Sequence, residues 1–374
     1  MTQTRLPTFP SALSPEIASE LQSLGLRWID PNGPGLSRRG GAGPSDHKAV
    51  RVAQHTLMVP ILNEASQRSP YSAHVRGDGA LLLRDGIPVG TLGFPKTPRF
   101  YEKSTSDGVP YWKIATLHAE DVLATTVLQT CIRYGKREQS CQFCAIGQSL
   151  AAKATIPEKT PEALAEVARA AVELDGVRHM VLTTGTPPGA DRGARVLADS
   201  ARAIKASVAL PIQAQCEPPA DFAWFHRLQS AGVDSLGLHL EAVTDEVRRR
   251  IMPGKAEVPV ATYLEAFARA VSVFGRGQVS TYILFGLGDS SQAIVEMCGT
   301  LIALGVYPFV VPFVPIFGTP LERHPAPSPE ALEALLAEVA RLLSRGNLSS
   351  ATIKAGCGRC GACSSLKLRE AAHA

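Results

Sequence analysis

Thr125-Thr126-Val127-Leu128-Gln129-Thr130-Cys131 decides how the chain is read: a strand-like run ends on a cysteine, and Cys141-Gln142-Phe143-Cys144 follows. Three thiolates on one loop can hold three irons of a cubane and leave the fourth iron open to a non-protein ligand. Soft sulfur donors suit iron–sulfur or zinc, but a closed zinc site calls for a fourth cysteine nearby. None is near in sequence. Position matters as much as residue type, because the loop after the first strand of a parallel βα array lies at the rim where active groups gather.

Strand-like segments recur at Thr125–Gln129, His179–Thr184, Leu210–Gln215, Ser235–Leu240, Val279–Phe285 and Tyr307–Val314, with helical segments between and after them. Six βα units in succession predict a parallel sheet covered by helices, as in barrels or open α/β folds. Thr160-Pro161-Glu162 opens one helix with an N-cap, a first-turn proline and an acid near the dipole, and Gly176 ends it. Ser328-Pro329-Glu330 opens the last helix, striped by Leu332, Leu335, Leu336, Val339, Leu342 and Leu343 and stopped by Gly346. The earlier residues read differently. A short helix over Ser14–Leu24 precedes a Gly- and Pro-rich region whose Gly40–His47 stretch must be loop, and Asp85-Gly86 between two apolar runs predicts a hairpin. The expected division is 1–120, a small β-rich domain; 121–345, the βα array; and 346–374, a cysteine-rich tail.

Composition bounds the functions. A net charge of +4 over 374 residues, with 19% charged residues, forms no concentrated basic stripe, so neither nucleic acid nor an anionic membrane is the expected partner. No signal-type apolar core follows Met1, and no run approaches the ~18 apolar residues of a membrane span, so a cytoplasmic protein is expected. Six of the eight cysteines fall in two tight groups, leaving Cys216 and Cys298 as small buried side chains. The second group, Cys357-Gly358-Arg359-Cys360-Gly361-Ala362-Cys363, has ferredoxin-like spacing, with glycines that let backbone wrap a cubane. It reads as a second [4Fe–4S] cluster, with a zinc site or a labile redox tail as alternatives. The eleven steps from Gly346 to Cys357 reach roughly 36 Å at ~3.3 Å per residue, enough to return to the cysteine rim.

These motifs together resemble the radical S-adenosylmethionine (SAM) superfamily, whose members hold a cluster on three cysteines after the first strand. The nine-residue gap between Cys131 and Cys141 departs from the usual three. The resemblance implies a partial (β/α)6 TIM-like barrel and an enzyme with Cys131, Cys141 and Cys144 on a SAM-binding [4Fe–4S] cluster. It implies Phe143 near the adenine, Thr184, Gly185 and Thr186 at the methionine amino group, Glu241 on the ribose, an arginine such as Arg248 on the methionine carboxylate, and Gly286 beside the adenine. His239-Leu240-Glu241 with Arg248-Arg249-Arg250 resembles lipoyl synthases, and Gly318-Thr319-Pro320-Leu321-Glu322 resembles biotin synthase-like members. The Arg39–Pro44 loop, His118, the cysteine spacing and the tail resemble the radical SAM protein of nitrilase-containing nitrile- and cyanide-assimilation gene clusters.

The implied activity is reductive cleavage of SAM to a 5′-deoxyadenosyl radical that abstracts hydrogen from a small nitrogen-containing metabolite. A flavodoxin- or ferredoxin-type reductant is implied, and a second cluster on Cys357, Cys360 and Cys363 would anchor the substrate. Sulfur insertion by sacrifice of that cluster is a second reading, and a zinc-binding structural or interaction protein a third. His118 and His239 are candidates for later proton transfers.

Overall fold

In the computed structural model, residues 14–30, 46–52, 55–136 and 138–372 are described, so the Arg39–Pro44 segment lies outside them. Short alternating runs build the first sheet: β1 (Arg27–Ile29), β2 (His47–Val52), β3 (His55–Pro60), β4 (Tyr71–Arg76), β5 (Gly79–Arg84) and β6 (Ile87–Gly93), ordered β1-β4-β5-β6-β2-β3. Asp85 and Gly86 turn β5 into β6 with φ of 50° and 82°, the pair of positive angles that a tight hairpin of right-handed twist requires. The buried face carries Leu57, Val59, Ala73, Leu82 and Leu92, and Leu21 of the Pro15–Leu24 helix packs on it. Ser14 caps that helix by accepting from the Ile17 amide at 3.3 Å.

The second sheet holds β7 (Thr116–His118), β8 (Val122–Thr126), β9 (His179–Thr183), β10 (Ile212–Gln215), β11 (Ser235–Gly237), β12 (Val279–Phe285) and β13 (Val306–Pro312). Its strands lie in chain order; β7 runs antiparallel to β8, and every pair from β8 to β13 is parallel. Parallel neighbours need crossovers, and the helices Pro161–Asp175, Ala194–Ser207, Ala223–Ser230, Val260–Phe274 and Ser291–Leu304 supply them. The result is a mixed α/β fold with a TIM-like half-barrel sheet. Burial on both sides explains why all five residues of β8 and all seven of β13 are buried.

Thr160 and Ser328 cap their helices as the sequence predicts, and Gly176 is left-handed at φ 68°. Gly346 ends the Pro329–Arg345 helix at φ −82°, so its role is space rather than handedness. A Cβ there would come within 2.2 Å of the Ile302 side chain. β8 also begins and ends three residues before the predicted strand; beyond it the Val127 amide still donates to the Thr183 carbonyl, but the Gln129 amide turns to the Pro157 carbonyl.

The tail does not return to the cysteine rim. It enters the opposite, N-terminal mouth of the half-barrel. The Gly356 amide donates to His179 Nδ1 on the first residue of β9, and the Cys357 amide to Gln213 Oε1, each at 3.2 Å. A Cβ on Gly356 would sit 2.1 Å from the Gln213 side chain, so only glycine passes there. Ala362 ties the tail to the first sheet by accepting from the Met58 amide at 2.8 Å. The last helix, Leu366–Ala372, starts next to the mouth, and its Glu370 carboxylate accepts from the Tyr307 hydroxyl. The short link needs no crossing of the sheet because the Pro329–Arg345 helix already ends at this mouth.

Candidate active site

The Cys131–Cys144 loop is clasped from two sides. The Ile132 amide donates to the Thr186 carbonyl at 3.0 Å, and the Gly185 amide to the Leu128 carbonyl at 2.9 Å. A Cβ on Gly185 would lie 2.1 Å from the Thr130 carbonyl oxygen, so this glycine permits the loop to close on the end of β9. On the other side the Gln142 amide donates to the Ile251 carbonyl at 2.8 Å, and the Gly254 amide to the Gln139 carbonyl at 3.2 Å. Between Cys131 and Cys141, Ser140 Oγ donates to the Arg133 carbonyl at 2.7 Å. A long gap therefore still delivers three half-buried cysteines on one rigid loop.

Around these thiols lies a network of buried charge that the sequence reading missed. Arg133 pairs with Glu217, whose Oε1 also accepts from Thr186 Oγ1 at 2.6 Å. Lys255 Nζ pairs with Glu241 Oε2 at 2.5 Å, with both side chains largely buried. Burial pushes the Cys144 thiol up to about 11 and Cys141 higher still, while Lys255 opposes the shift at both. Neutral thiols in a dry pocket become metal ligands only when a cation takes the place of their protons. Arg133 and Lys255 are each matched by a carboxylate, Glu217 and Glu241, and Glu241 outweighs Lys255 at both thiols, so it is the soft-sulfur donor set on one loop that fits a cluster. Glu217 and Lys255 could have been found as isolated charges at the end of β10 and after Pro253-Gly254, but nothing in their spacing marks them.

The other expected cofactor residues divide. Phe143, Cys144, Thr184 and Glu241 line one cavity of about 400 Å³ inside the half-barrel. Glu241 holds a left-handed backbone at φ 61° just beyond β11, clamped by its amide donating to the Tyr282 carbonyl and its carbonyl accepting from Leu284. Strain in a non-glycine residue persists only where the surroundings enforce it. Thr186 points to Glu217 instead, and Gly286, at φ 113°, turns its carbonyl to His324 Nε2 at 2.7 Å.

Arg248 does not face the cavity, which corrects its expected place at a carboxylate. It is wholly buried: Nη1 donates to the Leu240 carbonyl at 2.6 Å, Nη2 to Val258 at 3.1 Å, and the guanidinium lies 4.7 Å over the Tyr263 ring. The helix Asp245–Ile251 turns this side of itself into the core, so the triplet Arg248–Arg250 places its first member inside.

Cys357 and Cys363 line the same cavity from its opposite end. Gln215 Nε2 donates to Cys357 Sγ at 3.2 Å, and His118 Nε2 lies 3.7 Å from Cys363 Sγ. Cys360, like Cys357, packs beside Val122, Ala124 and Val181. Among the described residues, no three side chains of ligating type converge as a single metal ion requires. Cys216 and Cys298 are buried in the core, as read from the sequence.

Residues 138–301 match the family model of the radical SAM superfamily. Over that segment the chain is similar to radical SAM domains. Over 227 residues it is 29% identical to bacteriochlorophyllide c C-7(1)-hydroxylase of Chlorobaculum limnaeum, covering 54% of this chain and 55% of the relative. The chain thus spans about half the length of that curated relative. Among solved structures it is similar to a methylornithine synthase, with 19% identity, TM-score 0.48, and 66% of this chain and 68% of the other covered. It is also similar to a radical SAM methyltransferase from Sphaerobacter thermophilus, with 17% identity, TM-score 0.46 and 75% of each chain covered. The matched segment begins inside the cysteine loop and runs into the Ser291–Leu304 helix, so it contains Cys141, Cys144, Glu217, Glu241 and Lys255. No helix among the described residues is long and apolar enough to cross a membrane.

Glu241→Gln keeps the side-chain shape and removes the charge opposite Lys255. If Glu241 also meets the cofactor's ribose, SAM affinity should fall by roughly 1.5–3 kcal/mol, the range for hydrogen bonds to a charged group. Equilibrium binding of SAM at unchanged iron content checks this. Unchanged affinity with lowered stability would make Glu241 the partner of Lys255 alone.

Proposed function

We propose that this protein is a radical SAM enzyme with a partial (β/α)6 barrel, acting on a small, nitrogen-containing metabolite inside the half-barrel. Cys131, Cys141 and Cys144 would hold the SAM-binding [4Fe–4S] cluster, and Cys357, Cys360 and Cys363 a second one. The observation that carries this reading is the cavity itself, with Phe143 and Cys144 at one end and Cys357 and Cys363 at the other. When bound, the first cluster supplies one electron to the sulfonium of SAM, releasing methionine and a 5′-deoxyadenosyl radical that takes hydrogen from an unactivated carbon.

The chain's own residues would position and exclude. Phe143, Thr184 and Glu241 line the SAM end, while Met58, Leu284, Val311 and Phe313 give the cavity apolar walls that keep water from a reactive carbon. The Arg133–Glu217 and Lys255–Glu241 pairs would fix the walls around the thiolate loop. At the other end, a second cluster open to the cavity would anchor the substrate, and Gln215 would orient Cys357. Sulfur insertion, the chemistry of the biotin and lipoyl synthase-like branch, would be the alternative use of a cluster held by Cys357 and Cys363, which line the cavity. The resemblance to the protein of nitrile- and cyanide-assimilation clusters directs the search to nitrogen-containing metabolites. A cytoplasmic flavodoxin- or ferredoxin-type protein would supply the electron.

The test is anaerobic reconstitution followed by addition of SAM and a low-potential reductant. About eight irons per chain are expected from two cubanes, with 5′-deoxyadenosine formed on reduction. Zinc without iron or acid-labile sulfide would overturn the proposal. Sulfide loss limited to one turnover would select sulfur insertion over anchoring.

A further inference from the structure

Lys159 is a buried ammonium with no carboxylate beside it. The residues before the Pro161–Asp175 helix run back along the end of β8: the Lys159 amide donates to the Val127 carbonyl at 3.0 Å, and Leu128 bridges Glu158. This pairing sends the side chain inward, and only 2% of the residue is exposed. Its Nζ donates to the Ile156 carbonyl at 2.8 Å and, over a longer 3.4 Å, to Gln129 Oε1. Burial pulls the ammonium down to about 7, and no negative group opposes that shift. A buried charge without a counter-charge is costly to keep, and groups perturbed in this way gather at functional sites.

The contacts of Lys159 lead to a thiol of the cysteine loop. Gln129 is also buried, and with Oε1 turned to Lys159 its Nε2 donates to the Ile146 carbonyl at 3.1 Å. Ile146 is held from the other side by the end of β9, where a Cβ on Gly185 would come within 2.9 Å of Ile146 Cδ1. Burial raises the Cys144 thiol, and the Ile146 amide, donating to its sulfur, is the strongest opposing influence. Lys159, Gln129 and Ile146 thus form a chain of hydrogen bonds that ends on Cys144.

We propose that Lys159 is the counter-charge of the [4Fe–4S] cluster on the Cys131–Cys144 loop, and that with Gln129 it positions the Ile146 amide on the Cys144 sulfur. The inference rests on the radical SAM reading of that loop. Three thiolates outweigh the positive charge of an oxidised cubane core, and reduction adds one more electron. A nearby ammonium and a hydrogen bond to ligand sulfur both favour the reduced form. In the metal-free chain the thiols keep their protons, so Lys159 is a burden on stability. With the cluster in place it meets negative charge.

Lys159→Met keeps the length of the side chain and removes its charge. The metal-free variant should unfold at the same or a higher urea concentration than the unaltered chain, because it buries no ammonium. Reconstituted anaerobically, it should hold the same iron. Reduction of its SAM-binding cluster should be about tenfold less favourable, a drop of ~59 mV for one electron. Potentiometric titration read by electron paramagnetic resonance measures this, and the signal that changes on addition of SAM identifies the cluster. Lys159→Gln, which keeps a donor for the Ile156 carbonyl, should show the same drop and serves if the Met variant does not fold. Gln129→Leu, which breaks the link to Ile146, should move the potential in the same direction. A potential unchanged within about threefold in the reduction constant in both Lys159 variants would overturn the proposal, whatever their stability. A SAM-responsive cluster with such an unchanged potential sinks this inference alone, whereas an unaltered chain with no SAM-responsive cluster sinks the functional reading.

Discussion

Cutting the chain after Ala355 should halve its iron, from about eight to about four per chain, and lower its stability by roughly 3–5 kcal/mol. The stability loss follows from what the tail covers. Leu366 is fully buried, and burying a leucine contributes roughly 1.5–3 kcal/mol. Glu370 accepts from the Tyr307 hydroxyl and from the Ser350 amide at 2.7 Å, and Arg369 pairs with Glu333. Hydrogen bonds to charged groups contribute about 1.5–3 kcal/mol. A second variant separates packing from metal. Replacing Cys357, Cys360 and Cys363 by serine keeps Gly356 against Gln213 and Ala362 against Met58, so it should lose the same irons with much less stability. Both forms should keep the first cluster and cleave SAM slowly, without turning over substrate. Urea unfolding, iron analysis and product analysis read the three effects. Unchanged substrate conversion by the serine variant would remove the tail from the chemistry and leave it a structural floor.

Arg248→Met should cost about 3–5 kcal/mol, the range for breaking a buried charged network, and leave SAM affinity per folded chain unchanged. The carbonyls of Leu240 and Val258 would lose their donors, and Tyr263 its cation. Arg249, exposed on the same helix, serves as the control, and Arg249→Met should change stability by less than about 0.5 kcal/mol. Denaturant unfolding and SAM binding are the two readouts. A stable Arg248→Met protein that cannot bind SAM would return Arg248 to the cofactor.

The contrast between these residues shows where sequence was sufficient. Periodicity, caps and turns depend on neighbours along the chain, so Asp85-Gly86, Thr160, Gly176 and Ser328 could be read directly, as could the six parallel strands. The cysteine loop was legible because its three thiols sit within one segment. Arg248 was not, because whether a helix turns its first or second arginine inward depends on the carbonyls of Leu240 and Val258. Glu217 and Lys255 escaped notice for the same reason: their partners, Arg133 and Glu241, are distant in sequence. The tail's destination also depends on three-dimensional fit. Chain length permitted a return to the rim, but Gln213, His179 and Gln278 at the starts of their strands capture it at the other mouth, with Gln278 Oε1 accepting from the Lys354 amide at 3.0 Å.

The most direct measurement is the yield of 5′-deoxyadenosine from an anaerobic mixture of SAM, reductant and the protein with Cys131, Cys141 and Cys144 all replaced by alanine. About four irons should remain, held by Cys357, Cys360 and Cys363, and 5′-deoxyadenosine formation should be abolished. Cleavage of SAM at the rate of the unaltered chain would contradict the account.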